Sequence, residues 1–173
     1  MQGQFFLRPF QLLGRITCLV VLLTCGMLVF GTRGFYVYGS CMEPNLKTGE
    51  RVLAARFSYL LSTPQRGDVV IFKYPCDPTK NYVKRVVGVP GDVVEIRNGE
   101  LYVNDRPLEE PYKLITAHGD YGPERVRPGY LFVLGDNRDQ SNDSRYWGEL
   151  PIDNVQAKAV LLYWPLNRWH LLN

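Results

Sequence analysis

Two patterns of hydrophobic and polar positions divide the chain. Residues Ile16 to Phe30 read ITCLVVLLTCGMLVF and carry no charge. Arg15 and Arg33 bracket 17 residues, at the short end of the roughly 17–25 that span a bilayer as a helix. Phe10, Leu12 and Leu13 extend the run, with Arg15 snorkelling to the interface. The pattern predicts one transmembrane helix. Arg8 and Arg15 precede it and Arg33 follows, a slight positive-inside bias that puts the N-terminus in the cytoplasm and the bulk of the chain outside. A cleaved leader fits less well, because Gly31-Thr32-Arg33-Gly34-Phe35 is a poor cut site. A lipoprotein cut before Cys25 would want small residues where Leu23 and Thr24 stand. A core helix apolar on every side is unusual in so small a protein. Residues 1–33 therefore read as a cytoplasmic stub and anchor, and 34–173 as one domain beyond the membrane.

From residue 35 the pattern changes to short β runs between turn residues. Phe35 to Tyr38, Glu50 to Arg56, Asp68 to Tyr74 and Tyr82 to Val89 are predicted strands. Asp92 to Arg97 and Glu100 to Val103 flank Asn98-Gly99, a strong hairpin signal because both central residues need positive φ. Gly129 to Leu134 and Val155 to Leu162 complete the set, with a short helical turn allowed at Phe57 to Leu61. Pro107 to Pro128 holds few apolar residues and many turn formers, and reads as a long surface excursion. The fold class is mostly β: an antiparallel two-sheet or barrel-like domain behind one N-terminal helix.

Composition adds exclusions. With 46% hydrophobic and 21% charged residues, the 173-residue chain is too apolar for disorder and too short for a polytopic transporter. Its 16 glycines and 12 prolines favour a turn-rich β protein. A net charge of +3, dispersed along the chain, does not suggest nucleic acid. The two histidines, His118 and His170, are far apart, which argues against a histidine-based zinc site or a Ser-His-Asp triad. No metal and no cofactor is expected. Of the four cysteines, Cys18 and Cys25 fall in the apolar run as packing residues, leaving Cys41 and Cys76. Cys76 lies in a turn-like stretch and is expected to be free or surface-lying.

Three segments carry candidate chemistry. Gly39-Ser40-Cys41-Met42-Glu43-Pro44-Asn45-Leu46 places a glycine before small nucleophilic residues, so the backbone can turn and leave an amide for an oxyanion. Taken alone, it is equally an ordinary Gly/Pro turn. In Tyr82-Val83-Lys84-Arg85-Val86-Val87, the apolar neighbours of Lys84 suggest a desolvated amine able to act as a general base. Spacing alone favours the other reading, with Lys84 on the wet face of an alternating strand. The run GDNRDQSNDSRYWG, from Gly135 to Gly148, follows a hydrophobic strand and reads as a loop whose side chains are held by hydrogen bonds.

In this order behind an anchor, the three segments resemble type I signal peptidases. The resemblance covers nearly the whole chain, including Arg66-Gly67-Asp68-Val69-Val70, and is most specific in the GDNRDQSNDSRYWG run. The short linking regions look like the smaller bacterial and cyanobacterial members. It implies an endopeptidase of the bacterial plasma membrane, spanning it once, with its catalytic domain outside. Such an enzyme removes signal peptides from exported preproteins with a serine nucleophile and a lysine base, without histidine, metal or cofactor. Its partners are those preproteins and the lipid bilayer, and it is expected to be a monomer.

One position departs from the family's Ser-Met-x-Pro. Cys41-Met42-Glu43-Pro44 puts Cys41, not Ser40, in the nucleophile's register. A thiol can naturally replace the serine, the residue can have been altered, or this member can be impaired and act as a membrane-tethered binding or regulatory module. A thiol is more acidic than a hydroxyl, so Lys84 within reach would ionise it, though sulfur's size would disturb an oxyanion alignment tuned for oxygen. By the same resemblance Ser141 aims the Lys84 amine. Asp143 and Arg145 form an ion pair that Asp136 supports, and the Cys41 N–H holds the oxyanion. Met42, Leu46, Tyr82 and Val83 bind substrate, which adds as a strand beside residues 82–84. A self-cleaving repressor with a similar dyad would need a DNA-binding helix-turn-helix where this chain has its apolar run.

Overall fold

The computed structural model describes residues 13–22, 26, 31–59, 62–112 and 119–172. Among the described residues, twelve strands form two antiparallel sheets, as expected for the mostly β class. They are β1 (Thr32–Tyr36), β2 (Arg51–Ala55), β3 (Val69–Tyr74), β4 (Asp77–Gly88), β5 (Val93–Arg97) and β6 (Glu100–Val103). The rest are β7 (Arg106–Pro107), β8 (Tyr121–Arg125), β9 (Tyr130–Leu134), β10 (Leu150–Pro151), β11 (Val155–Trp164) and β12 (His170–Leu171). The larger sheet runs β1-β2-β11-β3-β4-β9-β10, with β12 pairing β11, and the smaller runs β7-β6-β5-β8.

The strongest local signals form as read. Asn98 (φ 50) and Gly99 (φ 78) both sit at positive φ, so β5 and β6 meet in the expected tight hairpin. The smaller sheet packs onto the larger through one apolar cluster. Val94, Ile96, Leu101 and Val103 of β5 and β6 meet Val87, Phe132 and Leu134 of β4 and β9. Gly88 permits the close approach, since a Cβ there would stand 2.6 Å from a Val94 methyl.

Three expectations change. The excursion from Pro107 to Pro128 contains β8, which pairs along β5 from Val93↔Arg125 to Ile96↔Tyr121. As an edge strand interrupted by Gly122-Pro123 it needs no apolar alternation, so it left no pattern to read. Residues 113–118, including His118, lie outside the described residues. The first strand begins at Thr32 rather than Phe35, because pairing with β2 already starts at Thr32↔Ala55. Finally, Lys84 does not lie on a wet face: it is 3% exposed. Alternation presumes one solvated face, but β4 lies between β3 and β9, and from Lys84 to Gly88 both of its faces are covered.

Of the apolar run, residues 13–22 are helical, with Leu13, Leu19 and Leu22 more than half exposed. Among the described residues no helix is long and apolar enough to cross a membrane. Residues 23–25 and 27–30 of the expected anchor, Cys25 among them, lie outside the described residues.

Candidate active site

The turn that leaves β1 is built by its glycine. Gly39 sits at φ 95 and its N–H donates to Thr48 Oγ1 at 2.9 Å, which swings the chain away from the sheet edge. Leu46 N–H then donates to Met42 O at 2.8 Å, closing residues 42–46 into a compact turn. Met42 and Leu46 are thereby driven inward, 1% and 0% exposed, into the core against Val52, Ala54 and Ala159. They lie behind the turn and not on the surface offered to a ligand. Cys41 remains half-buried at the surface, with a free thiol.

β4 delivers Lys84 to the same place. The Lys84 Nζ donates to Val83 O at 3.2 Å, and the Cys41 Sγ lies 3.9 Å from that same oxygen. Thiol and amine, 43 residues apart in sequence, thus converge on one carbonyl. The Lys84 amine also faces the ring of Tyr82, 5.4 Å from its centroid. Tyr82 stacks on Tyr74 at 4.4 Å, and Tyr74 and Phe72 both meet Trp147 from the end of the polar run.

The polar run wraps behind this pair. Within it, residues Arg138–Gln140 form a 3-10 turn and Ser144–Trp147 one helical turn. The Asp143 carboxylate caps that turn, pairs with Arg145 Nε at 2.8 Å and accepts the Gly135 N–H at 3.1 Å. Arg145 in turn donates to Arg138 O at 2.6 Å and Ser141 O at 3.4 Å, so the expected ion pair does brace the loop. Asp136 acts elsewhere. It takes both prongs of the Arg85 guanidinium at 2.9 Å and the Asn45 amide at 2.8 Å, tying the loop to β4 and to the Cys41 turn. Arg85 also reaches Gly67 O at 2.9 Å and stacks over Tyr112. Burial and the nearby Glu110 carboxylate hold the Tyr112 phenol well above its ordinary range, so it stays neutral.

Ser141 is 5% exposed, and its Oγ is buried without a hydrogen-bond partner. The expected bond from Ser141 to Lys84 is not made here, because the amine is satisfied by the adjacent Val83 carbonyl. Gly135 is why Ser141 and the Cys41 turn fit together. A Cβ there would fall 2.3 Å from Ser141 Oγ and 2.5 Å from Cys41 O.

Several contributors had no assigned role in the sequence. Asn137 clamps the Cys41 turn: its N–H donates to Cys41 O at 3.0 Å and its Nδ2 to Ser40 O at 3.2 Å. Arg168, from the tail, donates to Pro44 O at 2.8 Å and pairs with Glu50. Arg138, 1% exposed, pairs with Glu110 from the stretch read as an excursion. Asn137 and Arg138 were flagged only as members of a polar run. Nothing local marks Glu110, Asn45 or Arg168, whose partners lie 28, 91 and 124 residues away.

A cleft of about 690 Å³ opens over the thiol and the amine. One wall is Phe35 to Tyr38 and another is Tyr82 and Val83, with Gln140 and Asn142 on the loop side. The expected strand-binding residues Tyr82 and Val83 therefore do line it. Among the described residues no cluster of three or more potential ligands stands ready for a metal ion.

Comparison with known proteins points to one family. The profile of the family "Signal peptidase, peptidase S26" matches residues 11–164. The chain is 37% identical to the probable signal peptidase I-2 of Synechocystis, over 92% of this chain and 76% of that protein. It is 35% identical to signal peptidase I of Leptolyngbya laminosa, covering 87% and 77% of the two. It is also 42% identical to the chloroplastic thylakoidal processing peptidase 1 of Arabidopsis thaliana, over 72% of this chain but 39% of that longer protein. The crystal structure of a signal peptidase I from Enterococcus faecalis superposes with a TM-score of 0.51 at 33% identity, covering 56% of this chain and 97% of that one.

Proposed function

The chain belongs to the signal peptidase family, peptidase S26, and from that premise we propose that it removes N-terminal signal peptides from exported preproteins, with Cys41 as nucleophile and Lys84 as general base. One observation carries the assignment: Cys41 Sγ and the buried Lys84 Nζ share the Val83 carbonyl on the floor of an open cleft. Lys84, buried beside the thiol, accepts its proton as general base. The thiolate attacks the scissile carbonyl, and the Cys41 N–H receives the oxyanion. Asn137 and Gly135 support that amide by fixing the peptide groups around it. Collapse breaks the C–N bond, and the leaving amine takes its proton from Lys84. The thioester is then hydrolysed by water that the neutral Lys84 deprotonates. Ser141, with an unpartnered buried hydroxyl, is the group that receives the amine once substrate displaces it from Val83 O.

Tyr82 and Val83 form the edge along which the substrate pairs as a strand. Residues 1–33 are the cytoplasmic stub and anchor. The barrel-like domain of residues 34–173 works as a monomer at the external face of a bacterial plasma membrane. The cysteine at position 41 favours one second reading, an impaired member that binds signal peptides without turnover.

Preprotein cleavage by the purified chain, Cys41→Ser and Lys84→Ala separates these. The chain cleaves slowly, Cys41→Ser cleaves at least as fast, and Lys84→Ala is inactive. Loss of cleavage in Cys41→Ser overturns the nucleophile assignment, and retained cleavage in Lys84→Ala overturns the base. A chain that binds without cleaving, and whose Cys41→Ser form cleaves, is the impaired member.

A further inference from the structure

Most basic side chains around the site have carboxylate partners, such as Arg66 with Asp92, Arg85 with Asp136 and Lys158 with Asp68. Arg33, Arg56 and Lys73 have none among the described residues. These three line one hollow of about 310 Å³, which has Asp153 as its single acidic lining residue. Three cations facing one carboxylate in a concave site raise the local potential and favour an anion. The guanidinium fork matches phosphate oxygens, and a lysine adds a point charge.

The hollow's position indicates which phosphate. Arg33 lies on the edge strand β1 opposite Ala54, and Arg56 directly follows β2. The Arg56 N–H donates to Gly31 O at 2.8 Å. Gly31 itself lies against Phe57 so closely that a Cβ would come 2.3 Å from the ring. Gly31, which follows the apolar run in sequence, is therefore pinned beside Arg56. If that run lies in the bilayer, the hollow stands at the level of the headgroups. Phe35 lines both the hollow and the catalytic cleft, so an occupant of one sets the other's height above the membrane.

We propose that Arg33, Arg56 and Lys73 form a site for the phosphate of an anionic phospholipid. The site docks the domain on the membrane surface and holds the cleft at a fixed distance from it. The inference rests on the membrane-anchor reading. It is tested with the full chain reconstituted in phosphatidylcholine vesicles carrying traces of dansyl-labelled phosphatidylglycerol or dansyl-labelled phosphatidylcholine. Energy transfer from the native tryptophans reports which lipid gathers at the protein. Phosphatidylglycerol is expected to be enriched on the order of tenfold, as attraction of several basic residues to anionic lipid allows. Arg33→Gln/Arg56→Gln/Lys73→Gln together abolish the enrichment, whereas Arg33→Lys/Arg56→Lys keeps much of it. Equal transfer to both lipids, or enrichment that survives the glutamine variant, overturns the site. Inorganic phosphate that removes the enrichment when sodium chloride at equal ionic strength does not assigns the hollow to free phosphate and overturns the lipid. An alkaline wash that strips the chain from all vesicles refutes the anchor, and the headgroup site falls with it. Retention without lipid preference refutes the headgroup site alone.

Discussion

The two sheets of this protein place their charges in opposite ways. In the smaller sheet the interior is aliphatic, and the charged side chains stay outside: Arg97 bridges Glu95 and Asp105 on the surface. Around the cleft of the larger sheet, Lys84, Arg85, Asp136, Arg138, Ser141, Asp143 and Ser144 are all buried. Solvated pairs gain little, because water screens them and ordering their side chains costs entropy. Buried pairs are different: out of water, each charge depends on its partner and on the hydrogen bonds around it, so they specify geometry more than they add stability. The contrast separates a scaffold from a site. The smaller sheet supplies a core that tolerates change at its surface. The larger sheet spends polar burial on fixing the turn around Cys41.

The contrast predicts a steep hierarchy of substitutions. Asp136→Ala leaves the Arg85 guanidinium, 4% exposed, without its carboxylate and removes one of the two acceptors of the Asn45 amide, the other being Tyr112 O. A loss of about 3–5 kcal/mol in urea unfolding is expected, together with loss of preprotein cleavage. Arg85→Met/Asp136→Leu recovers much of that stability but not the cleavage. A single variant as stable as the parent would show that the buried network does not matter. Gly135→Ala comes next. Its methyl meets the Cys41 carbonyl and the Ser141 hydroxyl, and overpacking of this kind costs about 1–3 kcal/mol. Cleavage should fall further than that stability loss explains, since the displaced backbone is that of Cys41. The test compares kcat with the unfolding midpoint, and proportionate losses would make Gly135 merely structural. Smallest is Arg97→Ala on the other sheet, where both unfolding and cleavage should match the parent within error. A clear loss in either would erase the distinction between the sheets.

Legibility in the sequence follows the same division. Asn98-Gly99, the β3 and β11 runs and the aliphatic face of β5 could be read because their signals are local: a turn needing positive φ, or apolar residues repeating along one strand. The turn around Cys41 and the polar run stood out through residue order. The burial of Lys84 was not, because it depends on which strands flank β4. Nor was the partner of Asp136, since Arg85 precedes it by 51 residues. β8 escaped because an edge strand with one neighbour needs no apolar pattern.

By itself, the sequence determined the antiparallel β class, the apolar segment from Ile16 to Phe30, and the residue types available for chemistry: a thiol, an amine and a loop rich in hydrogen-bonding groups. These depend on composition and on spacing along one segment, and both survive in a linear reading. Only the tertiary structure decided that Lys84 is buried, that Met42 and Leu46 face the core, and that Asp136 joins loop, strand and the Cys41 turn. Burial and pairing are properties of neighbours, and here most of those neighbours lie tens of residues away in the chain.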